Sequence, residues 1–181
     1  MFGKIYGFDK HHYLTESLNK SCKCLLFMWN SVPVGFVRIL NTPRKGMPNG
    51  CAISRIVIHP DYQGLGLSSR ILNFCGGILK SLGDDYHLYI KTIHEKMGEA
   101  LERSTTWNPT YYNGKQRKKV NFEDGKYNNR LNRKSYCFKY VGEPIYGYEY
   151  LLKPINDLRK ESDKNEFVYN FCSFVNHQCC S

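Results

Sequence analysis

The chain has 181 residues, 41% of them hydrophobic and 14% aromatic, which is enough to bury a core in one domain and excludes a disordered composition. Its formal net charge of +10 favours anionic partners such as nucleic acid, nucleotides or cofactor phosphates. The start "MFGKIYGFDK" lacks an apolar signal core and no stretch has the roughly 18 to 20 apolar residues of a membrane span, so we expect no membrane partner and a cytoplasmic location.

The first elements are predicted to be strands. Residues 22–30, "CKCLLFMWN", and 34–40, "VGFVRIL", are short apolar runs joined by "SVP", which is typical of an antiparallel hairpin. Residues 41–50 hold two prolines and two glycines and predict a loop. The next strand is "CAISRIVIH", and it leads into the glycine-rich stretch "VIHPDYQGLGLSSRIL".

From Leu67 onward, apolar residues follow helical spacing until Gly83, which predicts an amphipathic helix. Gly76 and Gly77 inside it each cost roughly 1 kcal/mol relative to alanine, so we expect close packing against a neighbouring strand there. Residues 87–93, "HLYIKTI", predict another strand and 95–104 a second helix, with Trp107 just beyond it as a core residue.

A basic segment follows, from 108 to about 134, with no clear period; we interpret it as a long loop or insertion. Its end from 115 to 134 holds eight Lys or Arg against two acids, a local balance of +6. This suits nucleic acid or another anion, and a solvated loop is the alternative. The residues that we assign to this patch are Lys115, Arg117, Lys118, Lys119, Arg130, Arg133 and Lys134.

The last third predicts two strands, "SYCFKYVG" and "YGYEYLLK", and then a charged stretch with helical potential. The order of hairpin, strand, helix, strand, helix, strand, strand predicts an α+β fold, a mixed sheet with helices on its faces. We assign residues 1–153 to one domain and residues 154–181 to a C-terminal extension packed on it.

The eight cysteines are interpreted as reduced thiols, because a chain of this size without an export signal does not need disulfides. Cys22 with Cys24, and the tail residues Cys172, His177, Cys179 and Cys180, lack the paired spacing of structural zinc sites. We therefore predict no metal site.

The glycine-rich loop "QGLGLS" is predicted to hold a phosphate, because it places backbone N–H groups at the positive end of a helix. Two common phosphate loops are excluded. No lysine follows Gly66, as a nucleotide-triphosphatase loop requires, and Ser69 stands where a dinucleotide fold has its third glycine. The remaining interpretation is a pyrophosphate cradle of another type.

The stretch "ISRIVIHPDYQGLGLSSRIL" resembles the acyl-coenzyme A segment of the GNAT acetyltransferase superfamily. Its signature is Gln or Arg, two residues, Gly, one residue, then Gly or Ala; Gln63, Gly66 and Ser68 take these positions, the last a departure. The resemblance implies a mostly antiparallel central sheet and acetyl-CoA as donor. It also implies that the loop binds the pyrophosphate through Gln63, Gly64, Leu65, Gly66, Leu67 and Ser68, and that backbone groups of Ile56, Val57 and Ile58 pair with the pantetheine arm.

A narrower resemblance involves the segments "HHYLTESLNKSCKC" and "ALERSTTW". They are similar to acetyltransferase-like domains fused to ABC-type ATPases and related to Mom-type phage DNA-modification proteins. The matching residues are His12, Tyr13, Ser104 and Trp107. This likeness implies a bacterial or phage-infected host cell.

Acyl transfer to an amine needs a proton acceptor and a donor to the departing thiolate. Family members often use a carboxylate on the central strands and a tyrosine on the last helix, but residues 51–58 carry no carboxylate and Ser104 stands in the tyrosine's place. His12 or Tyr13 is the candidate acceptor and Ser104 the candidate donor, since histidine titrates in the useful range. His59 and His94 are further options.

Three functions are compatible with these residues. The favoured one is an acyl-CoA-dependent N-acyltransferase whose amine acceptor is polar or anionic, such as DNA, RNA or a nucleotide. A Mom-like DNA base-modifying enzyme is the second. The third is a catalytically inactive module with this fold that binds nucleic acid or protein.

Overall fold

The strands and helices of the chain form a single mixed sheet with helices packed on it. A computed structural model describes residues 22–115 and 134–152, and the backbone of residues 168–170. The strands are β1 (Cys22–Trp29), β2 (Val32–Asn41), β3 (Gly50–Ile58), β4 (His87–Thr92), β5 (Trp107–Pro109), β6 (Tyr136–Tyr140) and β7 (Val168–Asn170), and the helices are α1 (Leu67–Lys80) and α2 (Glu95–Glu102).

The sheet has seven strands in the order β5-β6-β4-β3-β2-β1-β7. Four neighbouring pairs are antiparallel, whereas β3 with β4 and β1 with β7 are parallel. The parallel step from β3 to β4 is made through α1, as a parallel pair requires a crossover. The predicted α+β class, with a mixed and mostly antiparallel sheet flanked by helices, is confirmed.

The first hairpin is confirmed, but its turn lies earlier than predicted. Trp29 pairs with Val32, so the loop is Asn30–Ser31 rather than "SVP". Both loop residues have positive φ, 45° and 64°, as in the two-residue turns that match the twist of a hairpin. The register then shifts between Phe27 and Met28, a bulge that allows Pro33 to lie within β2.

The predicted strand "YGYEYLLK" is wrong. The chain there makes a 3-10 turn over Glu149–Leu152, and Leu151 and Leu152 are both buried. A strand would place these two neighbours on opposite faces, whereas a tight turn lets both reach the core. The Glu149 carboxylate accepts hydrogen bonds from the Gly147 backbone N–H at 3.0 and 3.1 Å and fixes the start of the turn.

The C-terminal extension adds a strand at the far edge of the sheet. Residues 168–170 pair in parallel with Leu26–Met28 of β1, whereas the charged sequence after residue 153 predicts helical potential. The preceding residues 153–167 and the tail 171–181 lie outside the described part of the chain. Our division of the chain at residue 153 stays a prediction.

The main core lies between the sheet and α1. Ile71, Phe74 and Ile78 of this helix are fully buried, and the Phe74 ring meets Phe27 of β1 edge-on at 6.0 Å between centroids. Burying each such side chain contributes roughly 1.5–3 kcal/mol. Trp107 is 2% exposed, which confirms its predicted place in the core.

Glycine lets α1 approach its neighbours closely, and the predicted contact with a strand is confirmed at Gly76 but not at Gly77. A Cβ added at Gly76 would meet the ring of Tyr140 on β6, and one at Gly77 would meet Ile145 in the segment after β6. Within the described residues, no helix is both long enough and apolar enough to cross a bilayer.

Candidate functional site

The sheet opens between its two central parallel strands. Within the described residues, β3 pairs with β4 only from Gly50 with His87 to Ile53 with Ile90, although β3 continues to Ile58. At the same point the register of β3 with β2 shifts, because Ser54 is an extra residue between the pairs Ile39–Ile53 and Arg38–Arg55. Such a bulge bends a strand and increases its twist. We call the opening beyond Ile53 the β3–β4 cleft.

A short turn carries the chain from β3 into the glycine loop. Pro60–Tyr62 form one 3-10 turn, and the Gln63 backbone N–H donates to the Pro60 carbonyl at 3.1 Å. The Gln63 side chain donates through Nε2 to the carbonyl of Ile58, also at 3.1 Å. The sequence did not reveal this contact, which ties the loop to the last residue of β3 and uses one lone pair of a carbonyl that we had assigned to the ligand.

The loop Gln63–Ser68 leaves its backbone accessible at the start of α1. Gly64 and Gly66 have φ of 83° and 73°, and a Cβ added at either position would meet nothing within 4 Å. Gly66 is the N-terminal cap of α1 and offers no side-chain acceptor, so the first N–H groups of the helix lack the caps that serine or aspartate would supply. No acidic residue lies in the first turn. The positive end of the helix dipole is therefore open to an anion.

Two arginines lie side by side next to the bulge. Arg38 of β2 pairs directly with Arg55 of β3, and Arg38 Nε donates to the Ser54 hydroxyl at 2.9 Å. Burial, and secondly the charge of Arg38, lowers the pKa of Arg55 below its ordinary value. Like charges directly opposite each other destabilise a sheet. The two guanidinium groups also produce a positive electrostatic potential beside the β3–β4 cleft.

Ser104, the predicted donor to the thiolate, belongs to a chain of hydrogen bonds. Thr106 Oγ1 donates to Asn73 Oδ1 at 3.0 Å, and the Ser104 hydroxyl contacts Thr106 Oγ1 at 2.9 Å. Because the Thr106 proton is already used, Ser104 must be the donor in its own contact. Trp107 Nε1 completes the cluster with a 2.7 Å bond to Asn73 Oδ1. The proton of Ser104 is thus directed at Thr106.

The candidate histidines are in different surroundings. Nδ1 of His94 accepts the Met97 backbone N–H at 3.3 Å and caps the start of α2. His59 lies in the turn before the glycine loop, 3.6 Å from the Asp61 carboxylate and edge-on to Tyr62. The predicted catalytic residues His12 and Tyr13 lie outside the described residues, so their roles stay predictions.

Only the two ends of the basic patch are described. Lys115 is exposed and its ammonium lies 3.0 Å from the ring centroid of Tyr111. Lys134 forms a 3.0 Å ion pair with Glu102, and this contact raises the pKa of the lysine. Arg117, Lys118, Lys119, Arg130 and Arg133 lie outside the described residues.

The described cysteines are free thiols: Cys22, Cys24, Cys51, Cys75 and Cys137. Burial, and secondly the neighbouring Cys22, raises the pKa of Cys24 to about 11. Across the described part of the chain, no group of three or more metal-ligating side chains comes together. The tail residues Cys172, His177, Cys179 and Cys180 are not in that part.

A comparison of the sequence with protein-family models identifies the family of this chain. Residues 3–98, more than half of the 181-residue chain, match the model described as Acetyltransferase (GNAT) family. The chain belongs to the GNAT acetyltransferase family. The GNAT match covers β1 to β4, the cleft and the glycine loop, and the family uses an acyl-CoA as donor. No curated protein sequence matches the chain.

A search of solved structures finds similarity to proteins that are described as acetyltransferases. An acetyltransferase of GNAT family from Streptococcus pneumoniae is 19% identical, with a TM-score of 0.46, over 68% of this chain and 69% of that one. The ribosomal-protein-S18-alanine N-acetyltransferase from Escherichia coli is 16% identical, with a TM-score of 0.43, over 65% and 70%. A NatB acetyltransferase complex bound to a bisubstrate inhibitor is 11% identical, with a TM-score of 0.45, over 81% and 93%. None of these descriptions supports the narrower likeness to ABC-ATPase-fused or Mom-type proteins.

Proposed function

We propose that this GNAT protein transfers an acetyl group from acetyl-CoA to an amine. The observation that carries the proposal is the glycine loop at the end of a strand whose pairing with its parallel neighbour stops at Ile53. The loop, the helix N-terminus and the cleft lie one after another along the chain. Together they offer an anion site followed by a stretch of β3 that does not pair with β4.

The residues present fit the donor. The open surface above Gly64 and Gly66 lets oxygen atoms of a pyrophosphate approach the backbone N–H groups of Leu65 to Ser68. Backbone groups of Ile56 and Val57 on the cleft side of β3 have no partner on β4, and they suit the amide groups of a pantetheine arm. This is the pairing that an edge strand offers to an extended ligand.

Acetyl-CoA supplies a thioester, whose carbonyl carbon accepts the amine while the thiolate leaves. The ammonium nitrogen loses two protons: the chain must accept one before the attack, and the second, which leaves the nitrogen after the attack, balances the proton that the thiolate gains. No carboxylate lies on β3 or β4, so we assign the first task to His12 or Tyr13. Ser104 is the proposed donor to the thiolate, and it would have to turn its proton away from Thr106 to act.

The proposed acceptor is polar or anionic, with DNA, RNA or a nucleotide as the favoured class. The support is electrostatic: the Arg38–Arg55 pair beside the cleft and the +6 balance of residues 115–134 both attract anions. The Mom-like reaction on a DNA base stays a prediction, and no described contact favours it over ordinary acetyl transfer.

The donor site is tested by thermal unfolding with acetyl-CoA. At 100 times Kd, a ligand that binds only the folded state stabilises it by about 2.7 kcal/mol, which raises the Tm of a domain of this size by roughly 5–10 °C. Gly66→Val should abolish this rise, because its side chain would fill the cradle. Gly46→Val is the matched control: Gly46 has a similar φ of 79° and open surroundings, but lies in the loop before β3.

Both variants should melt at a lower temperature than the wild-type protein, because valine is strained at positive φ. Only Gly46→Val should keep the ligand-induced rise. A wild-type Tm that does not respond to saturating acetyl-CoA contradicts the proposal. If acetyl-CoA binds but mass spectrometry finds no acetylated product on amines, nucleosides, oligonucleotides or peptides, the inactive binding module is the better description.

A further inference from the structure

The turn after β5 exposes two neighbouring aromatic rings. Tyr111 is 80% and Tyr112 61% exposed, and their ring centroids are 5.4 Å apart in an edge-on arrangement. Large apolar groups that lie together at the surface are unusual in a soluble protein and mark sites of interaction. Neither ring belongs to the apolar core clusters of the described residues.

Hydrogen bonds to β6 hold this turn in place. The Thr110 N–H donates to the Cys137 carbonyl at 2.9 Å, and the Gly114 N–H donates to the Ser135 carbonyl at 2.8 Å. The Asn113 side chain accepts the Cys137 N–H at 2.8 Å. The two tyrosines are thus presented by an anchored turn, so little conformational entropy is lost when they bind.

The surroundings of the rings are cationic. The Lys115 ammonium lies 3.0 Å from the centroid of Tyr111 and 5.6 Å from that of Tyr112. Lys134, at the other end of the basic segment, lies 4.6 Å from the ring of Tyr136, although Glu102 offsets its charge. Aromatic rings beside ammonium groups suit a partner that carries both flat rings and negative charges.

The turn lies at the same end of the sheet as the β3–β4 cleft. Parallel strands β3 and β4 both end there, at Ile58 and Thr92. Thr92 pairs with Tyr136 at the start of β6, and the turn is bonded to the neighbouring residues of that strand. A ligand bound by the tyrosines therefore has one strand, β6, between it and the end of β4.

We propose that Tyr111, Tyr112 and Lys115 form a binding surface for single-stranded nucleic acid, in which the rings stack on bases and the ammonium group contacts phosphate. This proposal rests on the proposed function, because it identifies the bound nucleic acid as the acceptor of the acetyl group. Single-stranded rather than duplex nucleic acid is the partner, because only unpaired bases offer their faces to side chains. An acidic protein segment would satisfy the charge but would leave the rings without a stacking partner.

The test compares labelled oligothymidylate of about 20 nucleotides with an abasic oligonucleotide of the same length, in the absence of acetyl-CoA. Both carry the same phosphates, and only the first carries bases. The wild-type protein should bind oligothymidylate at least about tenfold more tightly, since stacking contributes about 1–3 kcal/mol per base. The double variant Tyr111→Ala/Tyr112→Ala should bind both probes equally.

Two controls separate stacking from general damage. Tyr111→Phe/Tyr112→Phe keeps the rings and should retain the preference for bases. Tyr146→Ala removes a tyrosine that is 70% exposed in the segment after β6, and it should leave binding unchanged. Equal binding of both probes by the wild-type protein, or an unchanged preference in the double alanine variant, overturns the proposal.

Polyglutamate serves as the competitor for an acidic protein partner. If it displaces oligothymidylate at similar concentrations of charge, and the tyrosine variants weaken its binding equally, the surface recognises acidic protein and the proposal is wrong. The rise in Tm with acetyl-CoA is measured on the same variants. A retained rise with no nucleic-acid binding rejects this surface alone, whereas a missing rise in the wild-type protein rejects the donor site.

Discussion

At the scale of single residues, Asn73 shows how one side chain can join distant parts of the fold. It projects from the middle of α1, and its Oδ1 accepts bonds from Thr106 Oγ1 and from Trp107 Nε1. Trp107 is almost fully buried, so its N–H has little access to water. The partners are 33 and 34 positions away, which explains why the periodicity of α1 did not reveal this role.

Asn73→Ala should lower the free energy of unfolding by about 2 kcal/mol, because it leaves the buried indole N–H without an acceptor. Urea unfolding measures this loss. Asn108→Ala is the matched control, since Asn108 is exposed on the neighbouring strand β5 and should change stability by less than about 0.5 kcal/mol. Similar losses in both variants would show that the Asn73 cluster contributes no specific stability.

At the scale of secondary-structure elements, the contact of α1 with β6 depends on a missing side chain. Gly76 lowers the intrinsic stability of the helix. However, the ring of Tyr140 occupies the space that a Cβ at this position would need. The Tyr140 hydroxyl donates to the Glu143 carbonyl at 3.0 Å, which restricts where the ring can move. Helix propensity and packing therefore make opposite demands at this position.

Gly76→Ala should lower the free energy of unfolding by about 1–3 kcal/mol, even though alanine favours helix by about 1 kcal/mol. The same change in a Tyr140→Ala background should be neutral or stabilising, because the ring that it would meet is gone. Chemical unfolding of the wild-type protein, the two single variants and the double variant gives the free energy of coupling between the two positions. Additive effects would contradict a steric origin.

Elements with strong local signals were predictable from the sequence. Helix α1 has a clear helical period, and the glycine loop before it could be assigned from Gly64 and Gly66 because positive φ and an exposed backbone favour glycine. The segment 146–153 was misassigned, since alternating aromatic residues resemble a strand while burial of Leu151 and Leu152 decides for a turn. The end of β3–β4 pairing at Ile53 depends on contacts across the sheet, which no local pattern encodes.

At the scale of the whole molecule, buried thiols should cause the free energy of unfolding to fall at alkaline pH. Burial raises the pKa of Cys51, Cys75 and Cys137 above the ordinary value of 9.0. Burial, and secondly the charge of Glu143, raises the pKa of Tyr140 to about 12. Each group stays protonated in the folded state while the unfolded chain loses protons, so its contribution to stability is present below its unfolded pKa and is lost as the pH rises.

The free energy of unfolding should therefore fall as the pH rises from about 9 to 10.5, by up to about 1.4 kcal/mol per pH unit for a fully buried thiol such as Cys75. Urea unfolding with a reductant present measures this slope. Cys75→Ala should lower stability at neutral pH but reduce the slope. Equal slopes for both proteins would mean that Cys75 does not contribute to the alkaline loss.

The β3–β4 cleft also has a consequence for how the protein behaves in solution. A strand whose backbone groups lack a partner on one side is a template for pairing with other chains, and natural sheets usually conceal such edges. Within the described residues, Ile56 and Val57 in the middle of the sheet have no pairing partner on β4. We expect the protein without acetyl-CoA to self-associate more readily on concentration or warming than the protein with acetyl-CoA bound. The bound donor would occupy the β3 backbone groups and thereby reduce aggregation.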